Sequence, residues 1–359
     1  MKKIFFAAIA LVALASCAKE EFVSVNRQAI SFGEAFVDNA TRADYSVAGN
    51  LKKFYVYGTA SGTMQGGGTV NIFDGDEVTG TVGTNVVNGK ETHVWNCTET
   101  QYWIPGANYA FAAVVDATVD NTTDDVDANG MPAKLHTKLD TAVTGSMHLL
   151  DMLYAEATVN GAAVTVDYDT PVNFTFQHLL SKVHFTVTST AQGDYSHEVT
   201  GIKVYNYSDG TYTISKNADG EDTSSWTGGT AAAVEFADIN NVKGVKDAIT
   251  GNITAGSVSN ADMLLVPNAA DFKVEFTVNL YKSTTKDGVT TKTLLGTTSY
   301  TGDSAKTVST DLVKGNAYNF TIACSVGNPI QFSVTNNPTW NSDIDGDGDV
   351  DTNDNVKID

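Results

Sequence analysis

Along most of this chain apolar and polar residues alternate with a period of two, in short runs. The clearest are Phe54–Tyr57, Tyr109–Val115, Val159–Asp167, Val199–Tyr207, Phe272–Tyr281 and Ala317–Val326, separated by Gly, Asn, Asp and Thr. Such alternation puts the apolar side chains on one face of a half-buried strand. Repeated short strands with frequent turn residues predict β-sandwiches rather than strand–helix units. Helical patterns are scarce: only 145–153 and 244–249 read as a turn or two of helix. No internal repeat of about 20–50 residues stands out.

One stretch contradicts a simple strand. Phe174 and Phe176 share one parity, while Val183, Phe185 and Val187 share the other. A continuous strand with one apolar face cannot carry both, so a bulge is expected near His178–Ser181. Two polar segments read as mobile loops: 116–127, which holds five aspartates, and 216–229 around Trp226.

The N-terminus has a different pattern. Lys2 and Lys3 precede an apolar run, Ile4–Ala15, too short for a membrane span of ~20 residues but suited to a signal-peptide core. It ends in Leu14-Ala15-Ser16-Cys17, which resembles the bacterial lipobox. Cleavage before Cys17 would free its amino group, and the thiol would take the lipid, tethering an otherwise water-soluble chain to a membrane.

Composition bounds the rest. At 359 residues the chain suggests two domains, taking ~150 residues for each. Hydrophobic residues at 42% and charged residues at 18% exclude wholesale disorder. With 42 acidic against 22 basic residues the net charge is -20, which repels phosphate backbones and excludes nucleic acid as a partner class. Three cysteines form no disulfide framework. Cys324 shares a strand face with Tyr318, Phe320 and Ile322 and reads as an inert core thiol, with Cys97 distant and unpaired.

Several short motifs occur in one order. They are Ala29-Ile30-Ser31-Phe32, Thr41-Arg42-Ala43, Tyr102-Trp103-Ile104-Pro105-Gly106 before Tyr109-Ala110-Phe111, and Asp151-Met152-Leu153-Tyr154-Ala155. Then come Phe176-Gln177-His178-Leu179-Leu180-Ser181-Lys182-Val183, Met263-Leu264-Leu265-Val266-Pro267, and Ile330-Gln331-Phe332-Ser333-Val334 with Pro338 and Trp340. In this order, behind a lipobox, they resemble the fimbrillins, subunits of type V pili, over residues 17–342.

The resemblance implies an all-β chain with two transthyretin-like β-sandwich domains in tandem. It implies a signal peptide at 1–16, a propeptide carrying the first strand at 17–42, domains at 43–169 and 170–342, and a tail at 343–359. It further implies export as an outer-membrane lipoprotein, cleavage by an arginine-specific protease between Arg42 and Ala43, and loss of the first strand. A strand from a neighbouring pilus subunit would fill the groove left behind. Ile30 and Phe32 suit such a groove. Ile330, Phe332 and Val334 belong either to a donor strand, Pro329–Thr335, or to an ordinary closing strand. Host or bacterial surface receptors are the further partners implied. Arginine occurs only at Arg27 and Arg42, so the mature chain offers such a protease nothing to cut.

The tail has its own chemistry. Asp343, Asp345, Asp347, Asp351 and Asp354 fall at positions 1, 3, 5, 9 and 12 of a calcium loop, with Gly348 at position 6 and the Asp349 carbonyl at position 7. Asp in place of Glu at position 12 weakens bidentate closure, so Ca²⁺ binding is expected at the millimolar end. The other reading is an acidic tail without a metal.

Catalytic signatures are missing: there is no G-x-S-x-G, no H-E-x-x-H and no phosphate-binding glycine loop. His178 and His184, on one strand at a gap of six, would lie ~20 Å apart and read as structural. The chain is therefore expected not to be an enzyme. The rival to a polymerising subunit is a surface lipoprotein that binds glycans through Trp95, Trp103 or Trp226.

Overall fold

The computed structural model describes residues 28–37, 51–62, 68–87, 90–141, 148–161, 171–248, 250 and 252–337. Among these the structure is almost wholly β, and its only helical element is a single 3₁₀ turn, Gly302–Ser304.

The first lobe is one seven-stranded sheet. In spatial order its strands are Phe32–Val37, Val172–His178, Leu153–Val159, Asn108–Val115, Lys53–Ser61, Thr69–Val87 and Lys90–Cys97. The sheet curls until its two edge strands lie side by side. Its inner face closes on Phe54, Phe73, Phe111, Phe174 and Phe176, all essentially buried. The strict alternation of Val172–His178, buried at Val172, Phe174 and Phe176 and exposed between, is the period-two pattern realised.

In the second lobe two sheets face each other. One contains Gly256–Ser259, Ser181–Ser189, Ala317–Cys324, Gln331–Asn337 and Met263–Leu265. The other contains Ala231–Glu235, Tyr195–Tyr207, Phe272–Lys286, Val289–Tyr300, Ile239–Val242 and Lys306–Val308. Between them Phe185, Phe236, Phe276 and Phe320 form the core. A small sheet, Ala117–Thr118, Lys134–Thr137, Gly210–Thr213 and Ser225–Gly228, takes strands from both halves. Beneath it a third apolar cluster, with Tyr57, Val114, Leu135, Met152, Leu179, Leu180, Tyr212 and Val266, joins the lobes.

The parity conflict at His178–Ser181 resolves as a break rather than a bulge. Val172–His178 ends in the first sheet and Ser181–Ser189 begins in another, with Leu179 and Leu180 buried in the junction between. Each strand keeps one apolar face, and the faces point into different cores. The strand at 172–178 thus belongs to the first lobe, and the chain passes to the second after His178 rather than at residue 170. His178 and His184 accordingly lie on different strands, the first against Asp151 at 2.9 Å and the second against Asp262 at 2.7 Å.

Other local expectations change too. Residues 148–152 are not helical, and 244–249 carries the strand Val245–Lys246, paired with Ile253–Thr254, instead of a helix. Of the run Val159–Asp167, Val159 closes the strand Leu153–Val159 and residues 162–167 lie outside the described residues. Both supposedly mobile loops are built. Asp125 is buried under 120–127, accepting the Asp120 amide and the His136 imidazole. Ser225–Gly228 pairs with Gly210–Thr213, and the Trp226 indole donates to the Leu179 carbonyl at 2.9 Å. Short polar segments fold here because a buried partner satisfies them.

Each lobe has a tyrosine corner of the same build. Gly106 and Gly315, at φ 77° and 72°, each precede by three residues a tyrosine in the opening turn of a strand. Tyr109 hydroxyl donates to the Ile104 carbonyl at 3.2 Å, and the Ile104 amide donates back. Tyr318 hydroxyl donates to the Asp311 carbonyl and accepts the Val313 amide, both at 2.8 Å.

Candidate functional site

The strand Phe32–Val37 forms one edge of the first sheet and runs parallel to Val172–His178, with Phe32 opposite Val172 and Val37 opposite Phe176. Ahead of it the chain lies against 101–103: the Ile30 amide donates to the Gln101 carbonyl at 2.8 Å and the Trp103 amide to the Gln28 carbonyl at 3.0 Å. The Val172 amide then donates to the Ser31 carbonyl at 2.8 Å. The ten residues 28–37 thus bridge two separated parts of the first lobe.

Side chains anchor that backbone. Ile30 and Phe32 are each only 7% exposed. The Phe32 ring lies 6.0 Å from Phe174 in a stacked arrangement, 6.0 Å edge-on from Phe54, and 5.6 Å from Phe73. Burying these two side chains contributes about 3–6 kcal/mol at about 1.5–3 kcal/mol each. Between Phe32 and Ala35 the register shifts, and Gly33 sits in the shift. A Cβ there would come 2.2 Å from Asn173 Oδ1 and 2.8 Å from Pro171 Cγ, so only glycine allows the approach.

The strand beneath depends on the leader. Val172–His178 pairs with Leu153–Val159 only through Leu153–His178 and Tyr154–Gln177. Among the described residues its remaining ladder, Val172–Phe176, is made with Phe32–Val37. Removing the leader would expose both a strand edge and an aromatic seat made by Phe54, Phe73 and Phe174. An unpaired edge beside an empty apolar groove is a template for another strand.

The C-terminal segment is an ordinary edge strand in this chain. Gln331–Asn337 pairs antiparallel with Ala317–Cys324, from Ala323–Gln331 to Ala317–Asn337. Ile330, Phe332 and Val334 face the second core but are only partly buried, with the Phe332 ring 5.8 Å from Phe276 and 6.0 Å from Phe320. Within this chain the strand closes the second lobe, and both of the roles open to it remain compatible with that pairing.

Cys17, Arg42, Ala43 and the acidic loop with Asp343, Asp345, Asp347, Asp349, Asp351 and Asp354 lie outside the described residues. Among the described residues no cluster of His, Cys, Asp and Glu could hold a metal ion, and no helix is long and apolar enough to cross a membrane. Cys97 and Cys324 are free thiols, and burial pushes Cys324 up to about 12. Of the three tryptophans, Trp103 is buried at 6% exposure, whereas Trp95, 5.1 Å from the Phe54 ring, and Trp226, 5.4 Å from the Tyr212 ring, are half-buried.

A model of a fimbrillin-like family matches residues 41–339. The chain belongs to the fimbrillin-like family. Family membership carries a fimbrial, cell-surface role and accords with the lack of catalytic motifs. Among solved structures, this fimbrillin-like chain is similar to a fimbrial protein from Bacteroides vulgatus, at 14% identity and TM-score 0.53, over 88% of this chain and 100% of that one. It is also similar to a putative cell adhesion protein from Bacteroides uniformis, at 15% identity and TM-score 0.42, over 88% of this chain and 99% of that one. No curated protein sequence matches it.

Sequence reasoning located Ile30 and Phe32 but missed their seat. Phe54 and Phe73 come from strands more than twenty residues downstream, and alternation alone tells that they are buried, not what they face. Gly33 carried no turn signal either, because its role is a close approach rather than a positive φ.

Proposed function

We propose that this fimbrillin-like chain is a structural subunit of a cell-surface pilus with a role in adhesion, exported as an outer-membrane lipoprotein through Cys17. Cleavage between Arg42 and Ala43 releases the leader strand, and a strand from a neighbouring subunit takes its place. The observation that carries the proposal is the leader itself: a terminal edge strand, seated by Ile30 and Phe32, on which the ladder of Val172–Phe176 depends. Such a strand can leave without unthreading the fold, and its departure creates the acceptor. The position of Arg42 a few residues beyond Val37 would free the whole strand, whereas a cut at Arg27 would leave it in place.

The donor in this reading is the C-terminal strand. Its anchors Ile330, Phe332 and Val334 alternate as a groove requires, and their partial burial makes them less costly to release than Phe32. The tail 343–359 is proposed to bind Ca²⁺ through its aspartates, which calorimetric titration at millimolar Ca²⁺ tests directly.

The deciding experiment incubates the purified precursor with an arginine-specific protease. One cut with a new N-terminus at Ala43, followed by polymers or by capture of a peptide spanning 329–337, is the expected result. Resistance at Arg42, or a cleaved product that neither polymerises nor accepts the peptide, overturns the proposal.

A further inference from the structure

We propose that the cleft where the two lobes meet is a binding site for a neutral saccharide. The cleft has a volume of about 320 Å³ and is walled by the outer faces of Leu153–Val159 and Val172–His178, the Gly210–Thr213 hairpin, and Lys314 of the second lobe. That volume is at the small end of the ~300–1,000 Å³ typical of small-molecule sites, room for one or two sugar rings.

Charge selects the ligand class. Two lysines and two carboxylates line the cleft, and they are matched: Lys216 pairs with Glu156, and Lys314 with Asp222 at 2.7 Å. A site for an anion or a cation would carry a surplus of one sign. This one carries none, yet each ammonium has three donors and each carboxylate about four acceptor positions, more than one ion pair consumes. Fixed, compensated charges with spare hydrogen-bonding capacity suit a ligand covered in hydroxyl groups and bearing no charge.

The pairs are also held in place. Tyr154 hydroxyl donates to Glu156 at 2.8 Å, and Lys314 donates to the buried Tyr212 hydroxyl while lying 5.0 Å from the centre of its ring. Burial raises Asp222, but hydrogen bonds from Lys314 and Ser224 outweigh it and keep the carboxyl at about 2, so the pair stays charged at neutral pH. Thr175 and Gln177 complete the wall. They are the exposed alternates of a strand whose Phe174 and Phe176 fill the core, and they offer a hydroxyl and an amide to the cleft. Leu179 and Ile214 supply apolar surface for the C–H face of a ring.

The wall strand Val172–His178 pairs with Phe32–Val37, so the test uses the uncleaved chain, in which that pairing is intact, and its outcome separates from that of strand exchange. The uncleaved full-length protein is examined by saturation-transfer NMR with millimolar glucose, galactose, mannose, fucose, N-acetylglucosamine and N-acetylgalactosamine, and with N-acetylneuraminic acid as the acidic comparator. At least one should receive saturation; Lys216→Met should weaken that sugar about tenfold, the loss of one charge-assisted hydrogen bond, and Gln177→Ala about threefold, the loss of one neutral hydrogen bond. Both side chains are well exposed, so the unfolding midpoint should hold. Three results overturn the proposal: no transfer to any of these sugars, binding that neither variant changes, or binding restricted to an acidic sugar such as N-acetylneuraminic acid.

Discussion

The ring of Phe32 stacks on that of Phe174 at 6.0 Å, with the planes 22° apart, across a parallel pair of strands at the edge of the first sheet. One partner lies on the first strand, which the proposed cleavage would release, and the other on the strand beneath it. The contact therefore measures how firmly the leader is held. Phe32→Ala should destabilise the precursor by about 3–5 kcal/mol, the usual cost of deleting a buried aromatic ring. A chain beginning at Ala43 lacks residue 32 altogether and serves as the reference in which the whole contact is gone. Urea unfolding of the uncleaved chain with and without the substitution, beside the chain beginning at Ala43, checks the difference. The precursor variant should also lose protection of the Val172–Phe176 amides in hydrogen exchange.

The paired corners predict independent effects. Tyr109→Phe and Tyr318→Phe each keep the ring and remove one hydroxyl that donates to a carbonyl and accepts an amide. Each should cost about 0.5–1.5 kcal/mol, with the upper end reached if the freed amide stays buried. The two tyrosines sit in separate cores, so the double variant should show the sum within about 0.5 kcal/mol. A marked departure would mean that the lobes unfold through a shared step at the corner.

How far the chain could be read from its sequence follows from these examples. Alternation identified the strands because burial on one face repeats every two residues, and Val172–His178 follows the pattern without exception. It could not assign strands to sheets, since Phe174 and Val183 look alike as apolar positions although they fill different cores. The break at Leu179–Leu180 therefore read as a bulge. The corners escaped notice because they rest on a glycine and a tyrosine three residues apart, too little to register as a repeat. Aromatic residues suggested a sugar platform, but Trp103 and Trp226 are held by the core, and the polar cleft was invisible because Glu156, Lys216, Asp222 and Lys314 are scattered through the sequence.

A buried charge cluster separates the effect of losing a charge from that of losing a pair. Lys182 is fully buried, with its ammonium 3.3 Å from Asp262, which His184 also contacts at 2.7 Å. Asp262→Ala strips the anion from a buried cation and should destabilise the fold by about 3–5 kcal/mol. Replacing the pair together, Lys182→Met with Asp262→Leu, should cost distinctly less, because no uncompensated ion remains. Chemical denaturation of the two variants decides the order.

The Lys314–Asp222 pair predicts an acid dependence of stability. Asp222 ordinarily titrates at 3.8; burial raises it, but its hydrogen bonds to Lys314 and Ser224 prevail and bring it to about 2. The folded protein thus binds its proton less readily than the unfolded chain does, so stability falls as the pH falls. The contribution is fully present above about pH 5 and is lost between about 3.8 and 2. Asp222 is half exposed at 51%, so solvent screens much of the attraction and the whole effect should be small. Asp222→Asn should therefore be modestly less stable than the unaltered protein at pH 6 and indistinguishable from it at pH 2. Thermal melts at the two values, in low salt, test the sign: a gap that widens toward pH 2 would mean that Asp222 is held protonated rather than ionised. The same variant removes one of the two carboxylates that balance the cleft, so it should also shift sugar preference toward acidic ligands at pH 6.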